Sequence, residues 1–226
     1  MNNIEVRILN ANFDGMSIFL ARLTQRGQQI SSMSDLIQLY NNCINKVPSE
    51  HMLSIPHTTL RRMNYMTVAI VGLSTKAVSQ LRTHAKRLTF VSTSTQYSAF
   101  TNKNNNFVIP NCDAETRQEI VKAYEIIQDK YDKLIANGVN KDIASYILPQ
   151  GLRKSLIISG NLDDWQYVMR TRLCNRNTRE VQYIMQLIYN EIVNVYGEEF
   201  VVNMLPNCVY DKCLEGKFSC GKKYGN

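Results

Sequence analysis

No stretch of this 226-residue chain approaches the roughly 20 consecutive apolar residues that a membrane-spanning helix needs. The longest apolar run, Thr67 to Leu73 (TVAIVGL), suits a buried strand instead. The opening residues MNNIEVRILN contain no apolar signal core, so the chain is expected in the cytoplasm. Histidine is scarce, with only His51, His57 and His84, and no Ser-His-Asp or Cys-His pairing announces a nucleophilic hydrolase. There is no internal repeat and no long linker. Aromatic residues are not interleaved with the basic ones in the stacking pattern of a nucleic-acid groove, so nucleic acid is not the expected partner.

What is present fits a folded globular protein, with 44% hydrophobic and 20% charged residues. The chain is long enough to bury a core without disulfides. Its six cysteines, in a cytoplasmic setting, read as thiols or ligands. The formal charge of +7 favours anionic partners.

Ile4 to Leu9 alternates like a short strand, and Met16 to Asn45 reads as helices broken near Gly27 and Ser31-Ser32. Pro48 to Pro56 is read as loop. Met63 to Leu73 is the strongest strand, ended by Gly72. Ser74 or Thr75 then caps a helix expected to reach Arg87. A hydroxyl-rich loop and the polar run TNKNNN follow, then a short strand at Phe107 to Ile109. Asp113 caps a long amphipathic helix that stops at Asn137-Gly138, and Asn140 caps a short one ending before Pro149. Leu152 to Ser159 suits a strand or a helical turn. Asn161 caps a helix to about Cys174. Asn177 opens the last long helix, with Glu180 as its capping-box partner. That helix runs to Tyr196-Gly197. The expected class is α/β or α+β: one helix-rich domain over residues 1–205 with a small mixed or antiparallel sheet, followed by a cysteine-bearing tail, 206–226.

The segment RTHAKRLTFVSTSTQYS, Arg82 to Ser98, carries most of the chemistry. On a helix, Arg82 and Lys86 share a face one turn apart, and His84 points elsewhere with Gln80 one turn behind it. Ser92, Thr93, Ser94 and Thr95 follow. Cations beside short hydroxyls make a cradle for phosphate or carboxylate. The competing structural reading is a solvated helix end followed by a polar loop.

This segment resembles the signature of flavin-dependent thymidylate synthases: Arg-His-Arg, seven residues, Ser, then Arg-Tyr. Counting back from Ser94 puts Lys86 at the second Arg and Ala85 at the His. With one or two inserted residues, Arg82 and His84 take the cationic roles. Gln96-Tyr97 stands for Arg-Tyr. A second block, Leu148 to Gln182, resembles the family in order and spacing through Leu148-Pro149, Asn161, Arg172 and Glu180. It departs from the family at Asp163 and Ser155, which stand at or near family arginines, and at Thr178, which replaces a Gln. A weaker match begins at Pro56.

The resemblance implies a homotetramer, thymidylate-synthase-complementing-protein-like in fold, with active sites at subunit interfaces. It implies reductive methylation of dUMP to dTMP, with methylenetetrahydrofolate as one-carbon donor, NADPH as reductant and FAD as the hydride-carrying cofactor. By the same resemblance Arg172 and His84 are the catalytic residues. Gln80, Ser94, Gln96, Arg153 and Arg172 bind dUMP. Thr58, Arg82, His84, Lys86 and Asn161 bind FAD, and no metal is expected. Arg153, Lys154, Arg176 or Arg179 would compensate for the missing family arginines. Each residue also has a structural reading: Asn161 as a helix cap, Arg172, Arg176 and Arg179 as a solvated basic face, Trp165 as packing.

In the tail, Cys208, Cys213 and Cys220 are five and seven residues apart. A zinc site wants four ligands in tighter pairs, so Cys112 or Cys174 would have to join. Plain thiols are the expected reading, with a metal site or a disulfide as alternatives. The two Pro-Asn-Cys sites lack the following His usual at the nucleophile of classical thymidylate synthases, and that mechanism is set aside. Two further functions remain open. One is a divergent relative making another 5-substituted deoxyuridylate, such as a hydroxymethyl product. The other is a non-catalytic nucleotide- or nucleic-acid-binding protein on the same scaffold.

Overall fold

Four strands form one sheet in the order β1-β2-β4-β3: β1 is Glu5–Ala11, β2 Tyr65–Ser74, β3 Thr89–Ser92 and β4 Arg153–Asn161. The computed structural model describes residues 4–13, 15–25, 30–54, 57–101 and 106–225. Gly27, Pro56 and most of the TNKNNN run therefore lie outside the described residues. The helices are α1 (Met16–Gln25), α2 (Met33–Asn41), α3 (Glu50–Ser54), α4 (Thr58–Arg62), α5 (Thr75–Arg82), α6 (Ala114–Ala136), α7 (Lys141–Ala144), α8 (Leu162–Arg172), α9 (Arg179–Tyr196) and α10 (Asn207–Tyr210). The class is α+β, helix-rich around a small sheet, as expected. Both β2 and β3 run antiparallel to β4. Thr67 and Ser159 hydroxyls meet at 2.8 Å while Thr75 N–H donates to Leu152 O; Thr93 N–H donates to Ser155 O while Leu88 lies against Gly160. None of the described helices is long and apolar enough to cross a membrane.

The chain forms two compact units. The first takes in residues up to Glu5, Ala69–Ala85 and Phe90–Ile157; the second takes in Val6–Val68, Lys86–Thr89 and Ile158 onward. In the second unit, α9 buries Val181, Ile184, Met185, Ile188 and Ile192, a stripe at helical spacing. Phe13 stacks on Phe200 at 4.9 Å and meets Tyr196 edge-on. Trp165 is fully buried, and its indole N–H donates to Met66 O at 3.1 Å. In the first unit, Gln128 on α6 is buried among polar partners. Its amide donates to Phe100 O and Asp132 Oδ1, and its Oε1 accepts from Asn106, each at 2.8 Å. That network ties the chain after β3 to α6.

The helix caps at Asp113, Asn140 and Asn161 stand where the sequence puts them, each side chain accepting from a backbone N–H in its own first turn. Gly197, at φ 106°, ends α9. Other expectations are corrected. The segment read as loop from Pro48 contains α3, because the Ser49 hydroxyl accepts from Met52 N–H at 3.3 Å and caps it. β2 passes through Gly72, whose φ of 93° breaks the alternation so that Gly72, Leu73 and Ser74 are all buried. Phe107 makes an isolated bridge to Leu152 rather than a strand. α5 stops at Arg82, so Arg82 and Lys86 do not share a helical face, and His84 lies in the turns beyond it. Thr178, not Asn177, stands at the start of α9, and its side chain makes no cap bond.

Candidate functional site

The Ser74 hydroxyl accepts from Ala77 N–H at 3.0 Å and starts α5 directly off β2. α5 buries Ala77, Val78 and Leu81, which leaves Thr75, Ser79 and Arg82 on its other side. β3 brings Ser92 back toward this helix end, and Arg82 Nη2 donates to Ser92 Oγ at 2.9 Å. Thr75, Val78, Ser79, Arg82, the hydroxyl run Ser92 to Thr95, and Lys154 line a pocket of about 310 Å³. It holds two cations, six hydroxyl side chains and no carboxylate, a donor set suited to a phosphate or carboxylate.

Lys154 is the buried cation of this pocket, 7% exposed. It comes from β4, where alternate residues are buried. Its ammonium donates to Thr93 O at 3.0 Å and lies 4.9 Å from the centre of the Phe100 ring. Burial, and then the neighbouring Arg82 charge, push its pKa below the usual lysine value. Thr93 is pinned to β4 from both sides, since Ser155 N–H donates to its hydroxyl at 3.4 Å. Arg153 is the residue of this strand expected at dUMP, and both it and Lys154 are among the four cations expected to compensate for the missing family arginines. The pleat turns the two neighbours apart: Lys154 lines the pocket, and Arg153 Nη2 reaches toward Phe107 O at 3.5 Å.

Ser94 lines the same pocket, its hydroxyl accepting from Gln96 N–H at 3.1 Å. The Gln96 side chain is exposed and does not line the pocket. Gln80 and His84 are half-buried in the same unit, on α5 and in the turn after it, and neither lines the pocket.

Arg172, Asn161, Thr58 and Lys86 belong to the second unit. Arg172 ends α8, half-buried, and Nη1 donates to Asn177 Oδ1 at 2.9 Å. Burial pushes its pKa below the ordinary arginine value, with Tyr167 opposing the shift; the guanidinium stays charged at neutral pH. The Asn177 amide donates to Thr171 O at 2.7 Å and Cys174 O at 3.4 Å. Asn177 therefore closes α8 and steadies Arg172. Asn161 caps α8, and its amide donates to Asp164 Oδ2 at 2.7 Å. Thr58, half-exposed, opens α4, which packs on α8. Lys86 is exposed in the turn before β3.

Asp163 gathers two arginines from α4. Arg61 Nη2 and Nε lie 3.0 and 3.3 Å from Asp163 Oδ1, and Arg62 Nε lies 3.5 Å from Oδ2. Sequence reasoning missed Arg61. Its signal, a cation at the end of a five-residue helix, has meaning only once α4 meets α8.

Fold and pocket together define a helix-rich α+β protein with a pocket lined by cations and hydroxyls at a helix end. The profile of the family described as thymidylate synthase complementing protein matches residues 9–196, and the chain belongs to that family. A flavin-dependent thymidylate synthase of Sulfurisphaera tokodaii is 28% identical over 100 residues, 44% of this chain. The alignment spans 38% of that curated relative's length. Thymidylate synthase X from Helicobacter pylori, solved with FAD and dUMP, superposes with a TM-score of 0.65 at 17% identity, covering 88% of this chain and 99% of that one. PolB, a UMP/dUMP methylase from Streptomyces cacaoi solved with 5-Br dUMP, also gives 0.65, at 16% identity, covering 89% and 96%. At these identities the two structures establish the fold.

Proposed function

We propose that this protein is a flavin-dependent thymidylate synthase, converting dUMP to dTMP with methylenetetrahydrofolate as one-carbon donor and NADPH as reductant. The observation that carries the reading is the pocket of Arg82, Lys154 and the hydroxyl run, placed within the family-matched residues. Arg82, Lys154 and Ser94 bind the dUMP phosphate through charge-assisted hydrogen bonds. Arg172 orients the uracil and favours negative charge developing on its ring. His84 is the second catalytic residue of this reading, and Gln80, Gln96 and Arg153 belong to its dUMP set. The residues also fit a phosphate-bearing cofactor: Arg82 is exposed and carries fixed charge, with Lys86 and Thr58 exposed or half-exposed. Asn161 fits through α8, whose first turn it orders. FAD, when bound, would supply hydride chemistry for completing the methyl group. The active enzyme is a cytoplasmic homotetramer with sites at subunit interfaces.

A second reading is favoured by the likeness to PolB: a methylase or hydroxymethylase with a different uridylate substrate or product. The first test is the visible absorption spectrum of the purified protein with FAD. The synthase reading expects a flavin band that bleaches with NADPH and recovers on adding dUMP and methylenetetrahydrofolate, with dTMP identified by mass. A hydroxymethyl product, or turnover of UMP in place of dUMP, moves the second reading ahead. A protein that never retains flavin overturns both.

A further inference from the structure

The chain from Pro206 lies beyond the residues that the family profile matches, and nucleotide chemistry gives it no task. It is nevertheless anchored. Arg170 on α8 donates from Nε and Nη2 to Asn203 O at 3.1 and 2.8 Å, just ahead of this segment. Further along, Arg176 Nη1 donates to Phe218 O at 2.5 Å, and the Tyr224 hydroxyl donates to Gln186 Oε1 at 2.6 Å.

Between this segment and the end of α8 lies a pocket of about 290 Å³. Tyr167, Arg170 and Cys174 are on one side, Cys208 and Cys213 on the other. All three thiols are unpaired. Burial above all holds the proton on Cys174, against the pull of the Arg176 backbone N–H, and Glu215, which lines the same pocket, acts with it. Cys220 does not line the pocket. Of the two pocket thiols that face Cys174, Cys208 is held in place on α10, whose turn is closed by the Asp211 N–H donating to Asn207 O at 2.9 Å, whereas Cys213 lies in irregular chain beyond it. Among the described residues no three His, Cys, Asp or Glu side chains are gathered to hold a metal ion. The arrangement favours bonding between thiols over coordination.

We propose that Cys174 and Cys208 form a reversible disulfide, made by exchange with a low-molecular-weight disulfide, that staples the segment after Pro206 to the end of α8. The Cys208 thiolate attacks one sulfur of the small disulfide. That S–S bond breaks, one small thiol leaves, and Cys208 carries a mixed disulfide. The Cys174 thiolate then attacks Cys208 Sγ and releases the second small thiol. Two protein thiols lose two electrons and two protons, and one small disulfide becomes two thiols.

Cys174 is the resolving thiol, because burial above all raises its pKa and keeps it protonated at neutral pH. Closure therefore speeds up as the pH is raised. The same burial disfavours the thiolate of the reduced protein, which makes the disulfide harder to reduce. Asn177 bonds both Arg172 and Cys174 O, so the staple fixes the turn that holds Arg172. None of this depends on the nucleotide reading.

The test equilibrates the full-length protein across a series of oxidised-to-reduced glutathione ratios. Free thiols are then blocked with N-ethylmaleimide and peptides are mapped by mass spectrometry without reduction. The expected result is a Cys174–Cys208 linked peptide that grows with the ratio and vanishes with dithiothreitol. The link persists in Cys213→Ser and Cys220→Ser and is lost in Cys174→Ser and Cys208→Ser. Reduced variants are checked by melting temperature, and the wild-type map decides by itself if a variant misfolds. Three results overturn the proposal: all six thiols staying free across the series, a link joining Cys208 to Cys213, or zinc(II) retained at one per chain on these thiols in place of any link.

Discussion

Arg82 and Ser92, ten residues apart, are joined by a hydrogen bond of 2.9 Å from Nη2 to Oγ. The bond closes one side of the cationic pocket and explains why a basic helix end precedes a hydroxyl-rich run: the helix supplies charge, and the returning strand supplies neutral donors. Arg82 is exposed, so Arg82→Ala should leave stability within about 0.5 kcal/mol of wild type. A charged hydrogen bond to phosphate contributes about 1.5–3 kcal/mol. Titration calorimetry should therefore show dUMP affinity falling roughly 10- to 150-fold. Unchanged affinity would remove Arg82 from the site.

Lys154 should behave differently, because it is buried. Lys154→Met keeps the volume and removes a desolvated charge, so the melting temperature should hold or rise while dUMP affinity falls. The pH dependence has two signs. Phosphate binding needs the ammonium form, so affinity should fall as pH rises through the lowered pKa, below the ordinary 10.5. Stability runs the other way: this group's contribution is complete above 10.5 and is lost as pH falls through the lowered pKa. Calorimetric titrations and thermal melts from pH 7 to 10 test both, with Lys154→Met as the flat control.

Local chemistry was legible in the sequence and long-range chemistry was not. Asp113, Asn140 and Asn161 could be read as caps because the N–H each satisfies lies two or three residues away. Asn177 has the same residue type before a helix, yet its partners are Arg172, Thr171 and Cys174 behind it. β3 is four residues long and exists through pairing with β4, which no local pattern announces. The pocket was half legible: Arg82 and the hydroxyls were in view, but only the pleat of β4 puts Lys154 into it. Asp163 read as a lost family arginine until α4 supplied Arg61.

Asn177 should matter to both stability and turnover. Asn177→Ala removes its bond to Arg172 and both carbonyl contacts at the end of α8, at a cost of about 1–3 kcal/mol in urea unfolding. Arg172→Ala should abolish dUMP turnover while the circular dichroism spectrum stays that of the wild type. If Arg172 acts on the ring, Asn177→Ala should lower kcat more than it raises KM, because a loosened guanidinium is misplaced at the reacting centre. Wild-type turnover in Arg172→Ala would sink the proposed role.

The Arg61–Asp163 pair gives the sharpest stability test. Arg61 is 7% exposed, and its guanidinium donates to Asp163 Oδ1 twice and from Nη1 to Leu53 O at 3.3 Å. Removing the carboxylate leaves a buried cation without its counter-charge, so Asp163→Leu should cost about 3–5 kcal/mol. Replacing both partners should not: Arg61→Met with Asp163→Leu removes the charge together with its desolvation, and most of the loss should be recovered. The reporter is built in. Trp165, the chain's single tryptophan, is fully buried two positions after Asp163, so its emission follows unfolding of the unit that holds the pair. Recovery in the double variant would assign the cost to the stranded charge. A double variant as unstable as Asp163→Leu would show instead that the polar contacts themselves hold α4 against α8.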